Sequence, residues 1–144
     1  MGSTYLPTGL PLPYPMPDDE QWWKACQEER LTVQRCTECG TLRHPPMPIC
    51  AACRSWSFDW MPVSGRGKIF SFTVAYRASH PAVVDSLPYN IVVVELDDAP
   101  GIRFVSNVVN CEPEKIAIGM PVEVVWEKAS DEITLPRFRA VREE

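Results

Sequence analysis

Four cysteines spaced as Cys36-x2-Cys39-x10-Cys50-x2-Cys53 constrain this chain more than any other feature. A CxxC turn sets two thiolates on one edge of a tetrahedron. A second such turn, brought across a hairpin, supplies the other edge, at metal to sulfur distances of about 2.3 Å. Gly40 gives the backbone the freedom it needs just after the first turn. The second turn, CAACR, carries Arg54 where many ribbons place glycine, and its guanidinium is suited to offset the charge of four thiolates. Four sulfur ligands leave no open position for water or substrate, so the predicted metal is structural: zinc first, with iron in the same sulfur shell as the alternative. Zinc binding by small thiolate sites contributes about 10 to 16 kcal/mol at neutral pH. The whole net stability of an ordinary domain is about 5 to 15 kcal/mol, so the segment is predicted to depend on its metal.

Cys26 and Cys111 lie outside this spacing and read as small buried hydrophobes, while His44, although near, is not needed by a shell that four cysteines already fill. Six cysteines so clustered suggest a metal in a reducing compartment before they suggest disulfides. No stretch reaches the roughly 18 to 20 apolar residues of a membrane helix, and Met1 to Leu12 lacks the pattern of a secretory signal. The expected location is the cytoplasm, with no membrane partner. The net charge is −5, and neither half hides a basic face: residues 1–63 hold 5 Lys/Arg against 7 Asp/Glu, and residues 64–144 hold 9 against 12. Affinity for a phosphate backbone comes mainly from basic side chains, so no nucleic-acid partner is expected.

Along the chain, residues 1–17 read as a proline-rich arm, in which Pro7, Pro11, Pro13, Pro15 and Pro17 favour polyproline II and forbid a helix. Residues 18–30, DDEQWWKACQEER, predict a helix with an acidic first turn, Asp18 or Asp19 as cap, and an apolar stripe of Trp22, Trp23, Ala25 and Cys26. The metal ribbon is expected over 31–62, with short strands at Leu31 to Arg35 and Trp56 to Met61. From residue 63 to 144 the pattern changes to β-runs, KIFSFTVAYR, NIVVVEL, IRFVSNVV, VEVVW and LPRFRAV, broken by Pro, Gly, Asn and Asp. Five strands suit an OB barrel. Gly65 and Gly67 fall where its first strand must coil, Gly119 and Pro121 where the chain re-aims, and one helical turn fits near Glu112 to Ile116.

An aromatic helix, a CxxC/CxxC ribbon and a five-stranded barrel in that order resemble the DUF35 family over about residues 17–142. The specific runs are Trp22 through Cys53, GRGKIFSFTV at 65–74, PYNIVVVELDD at 88–98 and IGMPVEVVW at 118–126. The resemblance implies a mainly β fold: N-terminal helix, rubredoxin-like zinc ribbon, then OB-fold barrel. It further implies a small non-catalytic subunit bound in a hetero-oligomer to a thiolase-superfamily enzyme. The partner would supply nucleophiles and bases; the ribbon would bridge subunits or channel an acyl-CoA, and the barrel would order the active-site region. By analogy the reaction leans to a retro-aldolase acting on a steroid- or bile-acid-derived acyl-CoA. Arg54 and the long arm depart from the family pattern.

Residues expected to touch a ligand or partner are Trp22 and Trp23 on the helix, and Tyr76, His80 and Tyr89 around the 77–88 loop. Arg137 and Arg139 complete the set, sharing one face of the last strand, where they could meet the phosphates of CoA. His80 has no evident partner beyond Asp85, and no nucleophile elbow or phosphate loop is present, so no catalytic residue is assigned. Two other readings compete: a single-stranded nucleic-acid-binding OB module, whose aromatics would stack on bases, and a free-standing acyl-CoA carrier.

Overall fold

The computed structural model describes residues 4–141; the first three residues of the expected arm and the last three of the expected barrel segment lie outside them. The expected helix is present but shorter, α1 at Glu20–Gln27. Its start is fixed from outside. The backbone N–H groups of Asp19 and Glu20 donate to the Met16 carbonyl, and the Asp19 carboxylate accepts from the Met16 N–H at 2.7 Å instead of capping its own helix. Its end is a Schellman turn: Arg30 N–H donates to Ala25 O, Glu29 N–H donates to Cys26 O, and Glu29 sits at φ 57. Glutamate in a left-handed position gives no compositional stop signal, which is why the sequence suggested three more helical residues.

Three strands form the ribbon sheet: β1 (Thr32–Cys36), β2 (Leu42–Arg43) and β3 (Phe58–Pro62), in the order β2-β1-β3 with antiparallel pairing. The two-residue β2 was not anticipated. The second sheet holds the five expected strands, β4 (Arg66–Ala75), β5 (Tyr89–Leu96), β6 (Arg103–Ser106), β7 (Pro121–Lys128) and β8 (Thr134–Ala140), in the order β6-β5-β4-β7-β8. The sheet curls until its edges meet. Val108 bridges Phe138 in parallel, with Val109 N–H donating to Phe138 O at 2.8 Å and Phe138 N–H to Asn107 O at 3.0 Å. That closure is the strand arrangement of an OB-fold.

Curling starts in β4, whose residues 66–68 pair with β7 while 67–75 pair with β5. A register shift between Ile69 and Ser71 bends the strand there and leaves Phe70 outside, under the Arg103 guanidinium at 3.7 Å. Gly67 is needed at the crossing because a Cβ would fall on the Glu95 carbonyl. The helical turn foreseen near residue 112 is a 3-10 turn at Pro113–Lys115; a second 3-10 segment, Pro81–Ser86, fills the 77–88 loop.

Alternation along β5 turns Asn90, Val92, Val94 and Leu96 inward, where they meet Ile69, Phe104, Val122 and Phe138. Trp22 and Cys26 of α1 and Leu31 and Val33 of the ribbon belong to the same cluster. Ribbon and barrel therefore share one core. The Trp22 indole N–H reinforces the seam by donating to Thr32 O at 3.0 Å.

The arm is tied down at its far end. The Tyr5 hydroxyl accepts from the Asn90 backbone N–H at 3.0 Å and from Asn90 Nδ2 at 2.6 Å, and Tyr5 N–H donates to Glu127 Oε2 at 3.0 Å. Asn90 is fully buried and also bonds both the N–H and the carbonyl of Val108. Removing the Tyr5 oxygen would strand two buried donors. Tyr5→Phe is expected to lower stability by about 1 to 3 kcal/mol, read as a lower denaturation midpoint, together with faster proteolysis of the arm.

Candidate metal centre

Each CxxC turn is closed by the same pair of backbone bonds. Gly40 N–H donates to Cys36 O and Cys36 N–H to Thr41 O; Arg54 N–H donates to Cys50 O and Cys50 N–H to Ser55 O. Gly40 (φ 76) and Arg54 (φ 65) take the same left-handed position, at little cost for glycine and at roughly 1 to 2 kcal/mol for arginine. Arg54 thus stands where a ribbon wants glycine, as its position after the second CxxC suggested.

The turns face each other across the sheet. Cys36 and Cys53 Sγ stand 3.5 Å apart, Cys39 and Cys50 Sγ 3.6 Å, and all four lie within 4.8 Å of one another. Sulfurs at about 2.3 Å from one tetrahedral ion stand about 3.8 Å apart, so the set fits a metal of that size. Cys36 and Cys50 are buried, while Cys39 and Cys53 face outward.

Local donors prepare the sulfurs for ionisation. The Cys39 N–H lowers the Cys36 thiol, the Thr41 hydroxyl and N–H lower Cys39, and the Cys53 N–H lowers Cys50. Cys53 is the exception. The Ser55 N–H draws it down, but the Cys36 sulfur, desolvation and then the sulfurs of Cys39 and Cys50 outweigh that and leave it at about 12. The fourth negative charge is what three others resist, and a divalent cation removes the resistance while displacing the proton.

Of the other two cysteines, Cys26 is wholly buried, and burial pushes its thiol up to about 12, as befits a small hydrophobe. Cys111 is partly exposed. His44 is not among the ligands. Its ring packs 4.0 Å from that of Phe104 and 5.4 Å from that of Trp22, and its Nδ1 is buried without a partner among the described residues.

The remaining candidates divide into two groups. Trp22, Trp23 and Arg137 come together around a slot of about 340 Å³ that His44 and Pro13 also line. Tyr76 and His80 belong to the connection between β4 and β5, and Tyr89 is the first residue of β5. There Tyr76 is exposed, Tyr89 pairs in register with Ala75, and His80 Nδ1 accepts the Ala82 N–H at 3.0 Å to cap the 3-10 segment. The two arginines do not stand free for a phosphate. Arg139 bonds Glu123 at 2.9 Å, and Arg137, largely buried, pairs with Glu127 at 3.3 Å and donates to Asn107 Oδ1. Strand alternation put both arginines on one face, but it could not reveal the glutamates that β7 sets opposite them: Glu123 is the register partner of Arg139, and Glu127 lies two residues beyond Val125, the register partner of Arg137. Tyr5 was missed as well, because a tyrosine in a proline arm carries no signal of a distant buried asparagine.

Comparison with known proteins divides the chain in two near residue 60. A family model for the ChsH2 rubredoxin-like zinc ribbon domain matches residues 23–59, and one for the ChsH2 C-terminal OB-fold domain matches residues 60–127. A DUF35 domain-containing scaffold protein of Methanocaldococcus jannaschii is 32% identical over 112 residues, covering 76% of this chain and 77% of that protein. The chain belongs to the DUF35 family. A solved DUF35 structure, named Ltp2-ChsH2(DUF35) aldolase, superposes with a TM-score of 0.81 at 42% identity, covering 90% of this chain and 98% of that one. The DUF35 region also resembles a probable enoyl-CoA hydratase alpha subunit of Thermomonospora curvata, 44% identical over 122 residues. That alignment takes in 85% of this chain but spans only 37% of the relative's length.

Two outcomes are expected from this geometry. Cys39→Ser should release the metal and open the ribbon, with new proteolytic cuts between residues 36 and 57, while the barrel strands keep their protection from hydrogen exchange. The second concerns His44, whose imidazole burial holds down at about 4, against about 6.5 in an unfolded chain. Between those values the unfolded chain takes up a proton that the folded one refuses. Stability is therefore full above about pH 6.5 and declines as pH falls toward 4, by roughly 2 kcal/mol from this group once its partial exposure is allowed for. His44→Phe, which keeps a ring beside Trp22 and Phe104, should remove that part of the slope in denaturation measured across this range.

Proposed function

We propose that this chain is a non-catalytic accessory subunit that binds a thiolase-like acyl-CoA enzyme and helps assemble its active site and acyl-CoA channel. A carbon–carbon lyase partner acting on a steroid-derived acyl-CoA is favoured over an acyltransferase. The single observation that carries this reading is the match at 42% identity over 98% of the DUF35 chain of an aldolase named for two components. Two features of the site agree with it. The four-sulfur set offers a metal no open position, and among the described residues His80, the one loop histidine considered as a base, spends its Nδ1 on a backbone N–H. We assign zinc to the cysteines, in a structural role, on the spacing, the sulfur geometry and the ligand chemistry.

The hydratase relative favours no hydratase reading for this chain, since the alignment leaves most of that protein's length unmatched. A nucleic-acid role is disfavoured by the net charge of −5 and by the pairing of both β8 arginines with glutamates.

Affinity purification of the chain from its native host, followed by native mass spectrometry, tests the proposal. A thiolase-superfamily protein is expected in fixed ratio, with one zinc per chain by elemental analysis. A lone zinc-loaded monomer that binds a long-chain acyl-CoA would overturn the subunit reading in favour of a carrier, and iron in place of zinc would overturn the metal assignment alone.

A further inference from the structure

The arm is more than a strap, because what it holds down and what it leaves out are different residues. It is fixed at one end by Tyr5 on Asn90 and Glu127, and at the other by Met16, whose N–H and carbonyl are both bonded to the start of α1. Between these anchors Leu6, Pro7 and Leu10 line one cavity with Ala129 and with Leu135 of β8. Leu12, Tyr14 and Met16 instead remain 44%, 84% and 56% exposed. Leu12 still lines the cavity that Leu10 and Leu135 share, but Tyr14 and Met16 stand largely in solvent on a backbone tied at both ends, presented at little further entropic cost.

We infer that the run Leu10-Pro11-Leu12-Pro13-Tyr14-Pro15-Met16-Pro17 is a docking ridge for a partner protein, received in a groove lined by aromatic side chains that carry hydrogen-bond donors. Three properties of the run select that chemistry. Proline at every second position locks half the φ angles near −65°, which suits polyproline II and not the about −140° of an antiparallel ladder, so strand addition to a sheet edge is disfavoured. Those prolines also remove amide donors while leaving every carbonyl, so the run is rich in acceptors and asks for indole N–H or phenol O–H groups. Residues 1–17 contain no charged side chain, so ionic recognition has nothing to act on. The fold uses a similar pairing on itself, where Pro13 lines the slot that Trp22 and Trp23 wall.

The proposal rests on the accessory-subunit reading and assigns the groove to that enzyme partner. Its test compares the wild-type chain with Leu12→Ser/Tyr14→Ser/Met16→Ser, which keeps the Tyr5, Asn90 and Asp19 anchors. Affinity for the co-purified thiolase-superfamily protein is measured by calorimetry, with metal content and denaturation midpoint as folding controls. A loss of tenfold or more with both controls unchanged is expected. A smaller loss is expected from Pro11→Gly/Pro13→Gly/Pro15→Gly, which keeps the side chains and frees the backbone. Equal affinity of the serine variant and wild type would overturn the ridge while leaving the subunit reading intact. A wild-type homodimer dissolved by the serine substitutions would overturn it too, by giving the ridge to a second copy of this chain. If the wild-type chain binds no thiolase-superfamily protein, the subunit reading fails first and the ridge proposal fails with it.

Discussion

Four sulfurs within 4.8 Å of one another set the terms for the N-terminal third of the chain. Three of the thiols are eased toward ionisation by local N–H and O–H donors, and the fourth is pushed up to about 12 by the other three. Without a cation such a cluster repels itself. With one, the attraction of the four sulfurs for the ion becomes the ribbon's main source of cohesion, since β2 has two residues and β3 has no fully buried side chain to hold it. The backbone is bent to serve this arrangement, even to the point of putting Arg54 in a conformation glycine would take more readily.

The metal does not act on an isolated module. β1 is buried along Thr32, Val33 and Gln34, and Leu31 and Val33 join the cluster that includes Phe104, Val122 and Phe138 of the barrel. Trp22 lies at the junction, its indole bonded to Thr32 O and its ring edge-on to those of Trp23 and Phe104. Residues 31–33 are therefore held to the barrel by packed side chains, independently of the cysteine turns. Such rigidity suits a subunit whose proposed task is to hold another protein's active-site elements in place.

Much of this was legible in the sequence because period and spacing carry it. The CxxC turns gave the metal set outright, and the alternation in NIVVVEL placed Asn90, Val92, Val94 and Leu96 on one inward face. Less legible were features decided by residues far apart in the chain. The helix ended early at Glu29, which has no glycine to announce it; Asp19 turned its carboxylate back to Met16; and Glu127 and Glu123 neutralised the arginines that a single strand had seemed to offer to a phosphate. The shared core was equally hidden, since a change of pattern near residue 63 separates ribbon from barrel in sequence but not in packing.

The arginine pairs bear on how such a chain would recognise anything. An arginine already bonded to a carboxylate must lose that bond before it can take a phosphate, and for Arg137, with 13% of its side chain exposed, the loss would leave Glu127 buried and unpaired. The charge of Arg137 is thus committed inward, while Arg139, 57% exposed, is paired at the surface. Large apolar side chains are also left exposed, among them Tyr14 and Met16 on the arm, Trp56 on the ribbon and Val105 on β6. Scattered apolar residues are ordinary on a surface, but Leu12, Tyr14 and Met16 are held together on a stiffened segment, and buried aromatic groups such as tyrosine are among those where binding energy concentrates in protein interfaces. A chain with this distribution of committed charge and presented apolar surface is better suited to binding a protein than to binding an anionic ligand by itself.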